Sequence, residues 1–233
     1  MSHVGASGSL PRQAAVLAIL VQTVACCGAR AQEMVVRQEP IPDRVWEDMQ
    51  RKSWKEGIGC PSRAELVLLT VPYRDFQGQS QLGHLIVAEK AAADVAVAFK
   101  EIYDSNSFRI ERMELVDKYG GDDDKSMAAN NTSAFNCRPV TTSLKPIAHM
   151  QGIAVDINPV QNPFIIGAAS NRMSVTKPDA GRPYNLPENR SGDVTGIIVP
   201  RSVVTEAFKK RQWSWGGNGN YLRDYKHFSQ DGK

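Results

Sequence analysis

Hydrophobic and polar positions follow regular patterns over much of this chain. Residues 66–73 and 82–88 are apolar runs of strand length on either side of a Gln/Gly/Ser-rich turn, and each predicts a β-strand. Residues 90–103 are Ala-rich, carry apolar positions at helical spacing and contain no Gly or Pro, which predicts a helix. Residues 109–116 place apolar residues among charged ones with a spacing close to two, which predicts a further strand.

The C-terminal half has fewer regular patterns. Residues 203–212 predict a second helix, with Ser202 as its N-cap. Residues 160–192 are rich in Pro, Asn and Gly and predict an irregular segment long enough to wall a cleft. Short strands and two helices without regular βαβ alternation predict an α+β fold.

The pattern at the N-terminus is that of an export signal. Residues 1–31 contain no acidic residue, and an apolar run is followed by Ala29-Arg30-Ala31, which resembles a signal-peptidase cleavage site. The run is too short to span a bilayer, so we expect an exported protein without a transmembrane span. A lipoprotein signal acylated at Cys26 is an alternative. The predicted organisation is a signal peptide at 1–31, an N-terminal arm at 32–59 and one domain at 60–233.

Charge narrows the function classes. The whole chain has a formal net charge of +3, and removal of Arg12 and Arg30 with the signal leaves the mature chain closer to neutral. It has no basic block, so nothing in the pattern favours a nucleic acid or an anionic membrane as partner.

Two cysteines remain after the signal, Cys60 and Cys137. An even pair in an exported protein predicts a disulfide, which fits the periplasm or cell envelope. A thiolate role for Cys137 is the alternative.

The candidate chemistry is concentrated in two short segments. His149 and Asp156 lie seven residues apart, and from Ile153 onward the pattern alternates so that Asp156 shares a strand face with the small residue Ala154. The second segment holds His227, with Asp224 three residues before it.

These residues suit a catalytic zinc site. Such a site uses three protein ligands and keeps one position open for water, and His149, Asp156 and His227 supply the three. Asp224 is then left as the general base that takes a proton from the attacking water. The cofactor predicted is Zn²⁺.

Other polar residues leave more than one reading open. Arg138 stands in an uncharged run, where stabilisation of an oxyanion and a plain surface position are equally compatible with the pattern. Asp122, Asp123 and Asp124 follow a Gly-Gly turn, where a solvated loop is favoured over a calcium site. His84 begins a predicted strand and is interpreted as a surface or structural histidine.

Several ordered motifs together resemble the peptidase M15 family of cell-wall zinc peptidases, which includes D-alanyl-D-alanine carboxypeptidases and L-alanyl-D-glutamate peptidases. They are NTSAFNCR at 131–138, HMQGIAVDINP at 149–159, the GGDDD loop, and a terminal WGG followed by DYKHF. The resemblance extends from about Cys60 to Ser229. It implies a small antiparallel sheet with the metal on one face and helices on the other. It also implies zinc ligands at His149, Asp156 and His227.

The resemblance further implies that Asp224 is the catalytic base and that Arg138 steadies the substrate carbonyl. The expected partner is a peptidoglycan stem peptide, cut either at its terminal D-Ala-D-Ala bond or at L-Ala-D-Glu. A carboxypeptidase needs a cation for the terminal carboxylate, and residues 160–192 offer Arg172, Lys177 and Arg182.

The chain departs from the family pattern beside its first histidine. Ile147 stands where the family usually has serine, and Gln151 and Ile153 replace more usual aromatic and basic residues. The alternative function is therefore a catalytically weak or inactive wall-binding protein that keeps the peptidase fold.

Overall fold

The computed structural model describes residues 1–2, 34–137, 147–167 and 174–232. Arg138, Arg172, Cys26 and nearly all of the predicted signal peptide lie outside the described residues. The division into signal peptide, arm and domain stays a prediction. No helix in the described parts of the chain is long and apolar enough to cross a membrane.

Strands and helices are mixed along the chain, with short strands predominating in the C-terminal half. The strands are β1 (Arg37–Pro40), β2 (Leu66–Arg74), β3 (Ser80–Ala88), β4 (Arg112–Met113), β5 (Asn131–Thr132), β6 (Ala154–Asp156), β7 (Phe164–Ile166), β8 (Val175–Lys177), β9 (Ser214–Trp215), β10 (Leu222–Asp224) and β11 (His227–Ser229). The α-helices are α1 (Asp43–Arg51), α2 (Glu89–Ser105), α3 (Asp123–Ala128), α4 (Ile147–Met150) and α5 (Val203–Lys209). Short 3-10 helices lie at Arg63–Glu65, Val116–Tyr119, Asp179–Asn185, Pro187–Asn189 and Gly216–Asn218.

Within the described residues, the strands form three antiparallel sheets of three strands and one parallel pair. The first sheet has the order β1-β2-β3. The second, which we call the Asp224 sheet, has the order β10-β7-β8, and the third, the His227 sheet, has the order β6-β11-β9. The predicted α+β class with small antiparallel sheets is confirmed.

The elements with the clearest patterns form as expected. The apolar runs at 66–73 and 82–88 become β2 and β3, which pair along their whole length. The Ala-rich segment becomes α2, and the second predicted helix becomes α5, where the Ser202 side chain accepts a hydrogen bond from the Thr205 backbone N–H.

The predicted strand at 109–116 is wrong over most of its length, since only Arg112–Met113 forms one. Its backbone groups are bonded elsewhere: the Glu111 and Glu114 N–H groups donate to the side chains of Asn158 and Asn131. Side-chain acceptors from distant segments thus replace the ladder that a strand would need.

The larger of two hydrophobic clusters in the described residues joins α2 and α5 to the His227 sheet. The face of α2 that enters it repeats at helical spacing and consists of Ala91, Ala92, Val95, Ala98, Phe99 and Ile102. Phe208 of α5 stacks on Phe228 of β11 with ring centroids 4.6 Å apart and meets the edge of Phe99 at 6.1 Å. Burying each such ring contributes about 1.5–3 kcal/mol, so β11 is firmly held where it carries His227.

The disulfide predicted between Cys60 and Cys137 is present, with an S–S distance of 2.04 Å. Cys137 is fully buried, and its backbone N–H donates to the Ser53 carbonyl at 2.8 Å. The bond indicates an oxidising, extracytoplasmic compartment.

Candidate metal centre

His149 lies in the short helix α4, and the geometry of its position depends on the glycine three residues later. Gly152 has φ of +67°, a left-handed conformation, and its N–H donates to the His149 carbonyl. A Cβ at Gly152 would stand 2.6 Å from the Ala88 backbone nitrogen. Glycine is therefore required both for the backbone angle and for the close approach to the end of β3.

Asp156 and His227 are brought together by strand pairing. β6 and β11 are antiparallel, with His227 directly opposite Asp156. Directly paired residues project from the same face of a sheet, so both side chains reach the same side. Ala154 is also buried and small, as the sequence pattern predicted for this face.

The three predicted ligands converge on one point. His149 Nε2 lies 3.1 Å from Asp156 Oδ1 and 3.2 Å from His227 Nδ1, and His227 Nδ1 lies 3.0 Å from Asp156 Oδ1. The candidate ligand atoms of these three residues all lie within 4.8 Å of one another. The structure thus assembles the set across 78 residues of chain.

The donor set fits a zinc ion. Two imidazole nitrogens and one carboxylate oxygen are typical of catalytic zinc, and donors about 2.0–2.1 Å from a tetrahedral ion would stand roughly 3.3 Å apart. The other ring nitrogen, His149 Nδ1, bonds the Ala134 carbonyl at 2.5 Å. A hydrogen bond of this kind fixes the tautomer that leaves Nε2 free to ligate.

The charged groups of the site shift one another's pKa values. Burial by itself would lower the pKa of His149, but the charge of Asp156 and its hydrogen bond outweigh burial and raise that pKa to about 9. Burial acts to raise the pKa of Asp156, while Lys226 and His149 hold it well below its usual value. A proton held by His149 therefore occupies the place of a cation among these donors, and a metal ion must displace it.

Asp224 lies beside this cluster but on a different sheet. It ends β10, opposite Phe164 of β7, and is 8% exposed. After two connecting residues the chain enters β11, so a tight bend places Asp224 and His227 on neighbouring sheets. The bend is fixed by Trp215, whose indole N–H donates to the Tyr225 carbonyl at 2.8 Å.

The Trp-Gly-Gly motif has a packing reason here. A Cβ at Gly216 would stand 2.7 Å from the Asp224 carbonyl oxygen. The backbone before the bend therefore approaches the Asp224 backbone more closely than any larger residue allows.

Lys226 is the residue that sequence reasoning missed. It is only 4% exposed; its Nζ lies 2.5 Å from Asp224 Oδ1 and 3.6 Å from Asp156 Oδ2. Burial would lower its pKa, but these two carboxylates raise it, so the ammonium stays charged. Its position between the two predicted functional residues was the available signal, but a lysine in a strand connection is ordinarily exposed.

The remaining predictions have different outcomes. Arg138 lies outside the described residues, so its role stays a prediction. Asp122 caps α3 by accepting from the Lys125 N–H, and the Lys177 ammonium lies 3.3 Å from Asp124. Arg182 pairs with Asp179 at 3.0 Å.

The positions that depart from the family pattern have ordinary environments. Ile147 is 64% exposed at the start of α4, and the Gln151 side chain donates to the Gly59 carbonyl. Ile153 packs against the main core. His84 is exposed on β3, opposite Thr70, as a surface histidine would be.

Comparison with known families agrees with the geometry. A model of the peptidase M15 family, described as D-alanyl-D-alanine carboxypeptidase, matches residues 147–230. The chain is thus similar to the peptidase M15 family over this segment. The resemblance predicted from the motifs is confirmed over this segment. Between Cys60 and residue 146 it stays a prediction.

The matched segment holds His149, Asp156, Asp224 and His227, together with the unpredicted Lys226. Neither a search of curated proteins nor a search of solved structures returned a match.

Proposed function

We propose that this protein is a zinc-dependent peptidase of the bacterial cell envelope that cleaves peptidoglycan stem peptides. The observation that carries the proposal is the convergence of His149, Asp156 and His227, with donors 3.0–3.2 Å apart, inside the segment that matches the M15 family. The buried carboxylate of Asp224 beside this cluster supplies the remaining group that peptide hydrolysis needs.

Three side chains are proposed to bind the metal, and a backbone carbonyl orients one of them. His149, Asp156 and His227 would hold the zinc ion, which would supply Lewis-acid chemistry and lower the pKa of a nearby water. The Ala134 carbonyl keeps the His149 ring in one orientation through its 2.5 Å hydrogen bond.

Asp224 moves the proton. Its carboxylate accepts a proton from the water that attacks the scissile carbonyl, and it returns that proton to the leaving amine as the C–N bond breaks. By the family resemblance, Arg138 stabilises the oxyanion that forms on the substrate carbonyl.

The Asp224 sheet offers a surface for the peptide on either side of the cut. Leu222, Ile166 and Val175 are paired in register across its three strands, and we call them the apolar row. Leu222 lies two residues before Asp224 on the same strand, so the apolar row and the carboxylate share one face of the sheet. Leu222 and Val175 are 42% and 51% exposed, which leaves this face open to a peptide with small alkyl side chains.

The bond that is cut is either the terminal D-Ala-D-Ala bond or L-Ala-D-Glu. The matching family is that of D-alanyl-D-alanine carboxypeptidases, which supports the first. Of the three cations considered for a terminal carboxylate, Lys177 belongs to the Asp224 sheet, in the same cross-strand row as Asp224 and Phe164.

Defined stem peptides test the proposal. Metal-stripped protein, with and without one equivalent of zinc, is incubated with a peptide ending in D-Ala-D-Ala and with one containing an internal L-Ala-D-Glu bond, and the products are weighed. We expect cleavage only with zinc. We also expect Asp224→Asn to lower kcat at least about 100-fold with zinc still bound, because a general base contributes roughly 10²–10⁴-fold.

Asp104→Asn makes the same chemical change at an exposed position of α2 and is the matched control. Stoichiometric zinc without cleavage of any stem peptide or of purified peptidoglycan would favour the wall-binding alternative. Failure to bind zinc would refute the metal centre itself.

A further inference from the structure

Lys226 occupies an unusual place for a lysine. It lies in the two-residue connection between β10 and β11, yet its side chain is only 6% exposed. Lysine is almost never fully buried unless its charge is paired. The partners of Lys226 are the two carboxylates of the candidate site.

The Lys226 ammonium lies between a carboxylate that faces the two histidines, Asp156, and one that does not, Asp224. Asp156 uses Oδ1 toward both histidines, at 3.1 and 3.0 Å, while its Oδ2 lies 3.6 Å from Lys226 Nζ. Asp224 Oδ1 lies 2.5 Å from the same ammonium. Phe164 covers it from a third side, with its ring centre 5.6 Å away.

Asp224 needs such a restraint. A carboxylate is a good zinc ligand, and Asp224 is only one tight bend from His227. Structural zinc sites are closed by four protein ligands, whereas catalytic sites keep one position open. Among the described residues, the group that could share a metal contains His149, Asp156 and His227 and does not include Asp224.

We propose that Lys226 is a positioning residue that holds Asp224 out of the zinc coordination shell and thereby keeps the fourth position open. This inference rests on the proposed function, since it concerns the same metal centre. The ammonium occupies the Asp224 oxygen by a charge-assisted hydrogen bond, which directs the carboxylate toward the substrate side instead of the metal.

Two effects of Lys226 on zinc affinity can be separated. Removing the ammonium takes a positive charge away from the metal, which tightens zinc binding by Coulomb attraction alone. It also releases Asp224 to become a fourth ligand, which tightens binding further and closes the site. The second effect requires the Asp224 carboxylate, and the first does not.

The experiment compares zinc affinity in full-length, metal-stripped protein by competition with a chromophoric chelator. The variants are Lys226→Met, Asp224→Asn, the double variant and Lys226→Arg. We expect Lys226→Met to bind zinc at least about tenfold more tightly, because outer-shell changes shift metal affinity roughly 10–100-fold. The double variant should lose most of that gain, and Lys226→Arg should stay near wild type.

Cobalt substitution adds a readout that does not depend on activity. The visible absorption of Co²⁺ reports its ligand set, so Lys226→Met should change the spectrum and the double variant should reverse that change. Peptide cleavage by Lys226→Met should fall in kcat, with rescue in Lys226→Arg. Lys100→Met, which removes an exposed lysine paired with Asp104 on α2, should alter none of these readouts.

Clear results would overturn the inference. Equal zinc affinity in wild type and Lys226→Met would do so, as would a double variant that binds as tightly as Lys226→Met. Asp224→Asn alone decides the matter if Lys226→Met fails to fold: we expect only the modest loss of zinc affinity that removing a nearby negative charge causes. A loss of more than about 100-fold, beyond what outer-shell changes cost, would mean that Asp224 is already a ligand. Zinc binding and stem-peptide cleavage by wild type are measured in parallel, so failure of the proposed function is seen separately.

Discussion

Asn158, two residues after β6, joins the strand that carries the candidate metal ligand Asp156 to distant parts of the fold. It is fully buried and adopts a left-handed backbone with φ of 47°. Its side-chain amide donates to the carbonyls of Arg109 and Gly196 at 2.8 and 3.1 Å, and its oxygen accepts from the Glu111 N–H at 3.0 Å. The asparagine of the Asp-Ile-Asn-Pro motif therefore has a structural role.

We expect Asn158→Ala to lower the free energy of unfolding by about 2–4 kcal/mol, because it removes three hydrogen bonds at ~1 kcal/mol or more each. The Arg109 carbonyl and the Glu111 N–H lose their side-chain partner, while the Gly196 carbonyl still accepts from the Asn162 side chain. Urea denaturation followed by circular dichroism measures the change. Asn189→Ala, which removes an exposed asparagine bonded to the Pro183 carbonyl, is the control. Equal losses in the two variants would contradict the role assigned to Asn158.

The role of a residue could be predicted from the sequence where side-chain chemistry alone indicates that role. His149, Asp156 and His227 are good zinc donors wherever they lie, so their identity and spacing pointed to a metal. Lys226 could not be found in this way, because its burial follows from how Phe164 and two carboxylates surround it.

At the scale of elements, the Asp224 sheet places the apolar row beside the candidate base. The opposite face of the sheet carries Ile165 and Thr176, which are buried, so the strands present only one face to solvent. The exposure of Leu222 and Val175 on that face is what makes it a binding surface under the proposed function.

We expect Val175→Thr and Leu222→Thr each to raise KM for a stem peptide severalfold with little change in kcat. Losing the burial of one methyl-sized group weakens binding by roughly 0.8 kcal/mol, or about fourfold, and uniform loss of binding appears in KM. Steady-state kinetics measures both constants.

Val97→Thr is the matched control for the apolar row, since Val97 is 47% exposed on α2 and outside the Asp224 sheet. A KM that stays at the wild-type value in both row variants would show that the peptide lies elsewhere.

Elements with strong local patterns could be predicted, and weak ones could not. The helix α2 combines high helix propensity with an apolar face, and β2 and β3 are long apolar runs joined by a turn. The segment at 109–116 has a strand-like pattern as well, but the side chains of Asn131 and Asn158 take its N–H groups. Local pattern does not reveal such distant acceptors.

At the scale of the whole molecule, the disulfide ties the segment before β2 to the chain that leads into the candidate site. Cys60 and Cys137 are separated by 77 residues. Closing a loop of that length removes conformational freedom mainly from the unfolded chain.

We expect the double variant Cys60→Ala/Cys137→Ala to lose about 2–4 kcal/mol in the free energy of unfolding, as is typical for removal of a native disulfide. Urea denaturation of the variant, beside wild type with and without a reducing agent, measures the loss. Reduced wild type should resemble the variant. An unchanged midpoint in both would show that the bond contributes little to stability.

The sequence by itself determined the donor residues, the disulfide pair, the main helices and the long strands. These depend on side-chain chemistry and on periodicity within one segment, which are local properties. Only the tertiary structure decided that Asp224 and His227 belong to different sheets, that Asn158 bonds three distant backbone groups, and that Lys226 is enclosed between two carboxylates. Those arrangements depend on which remote groups satisfy each buried charge and each backbone hydrogen bond, and that pairing arises only when the separate segments pack together.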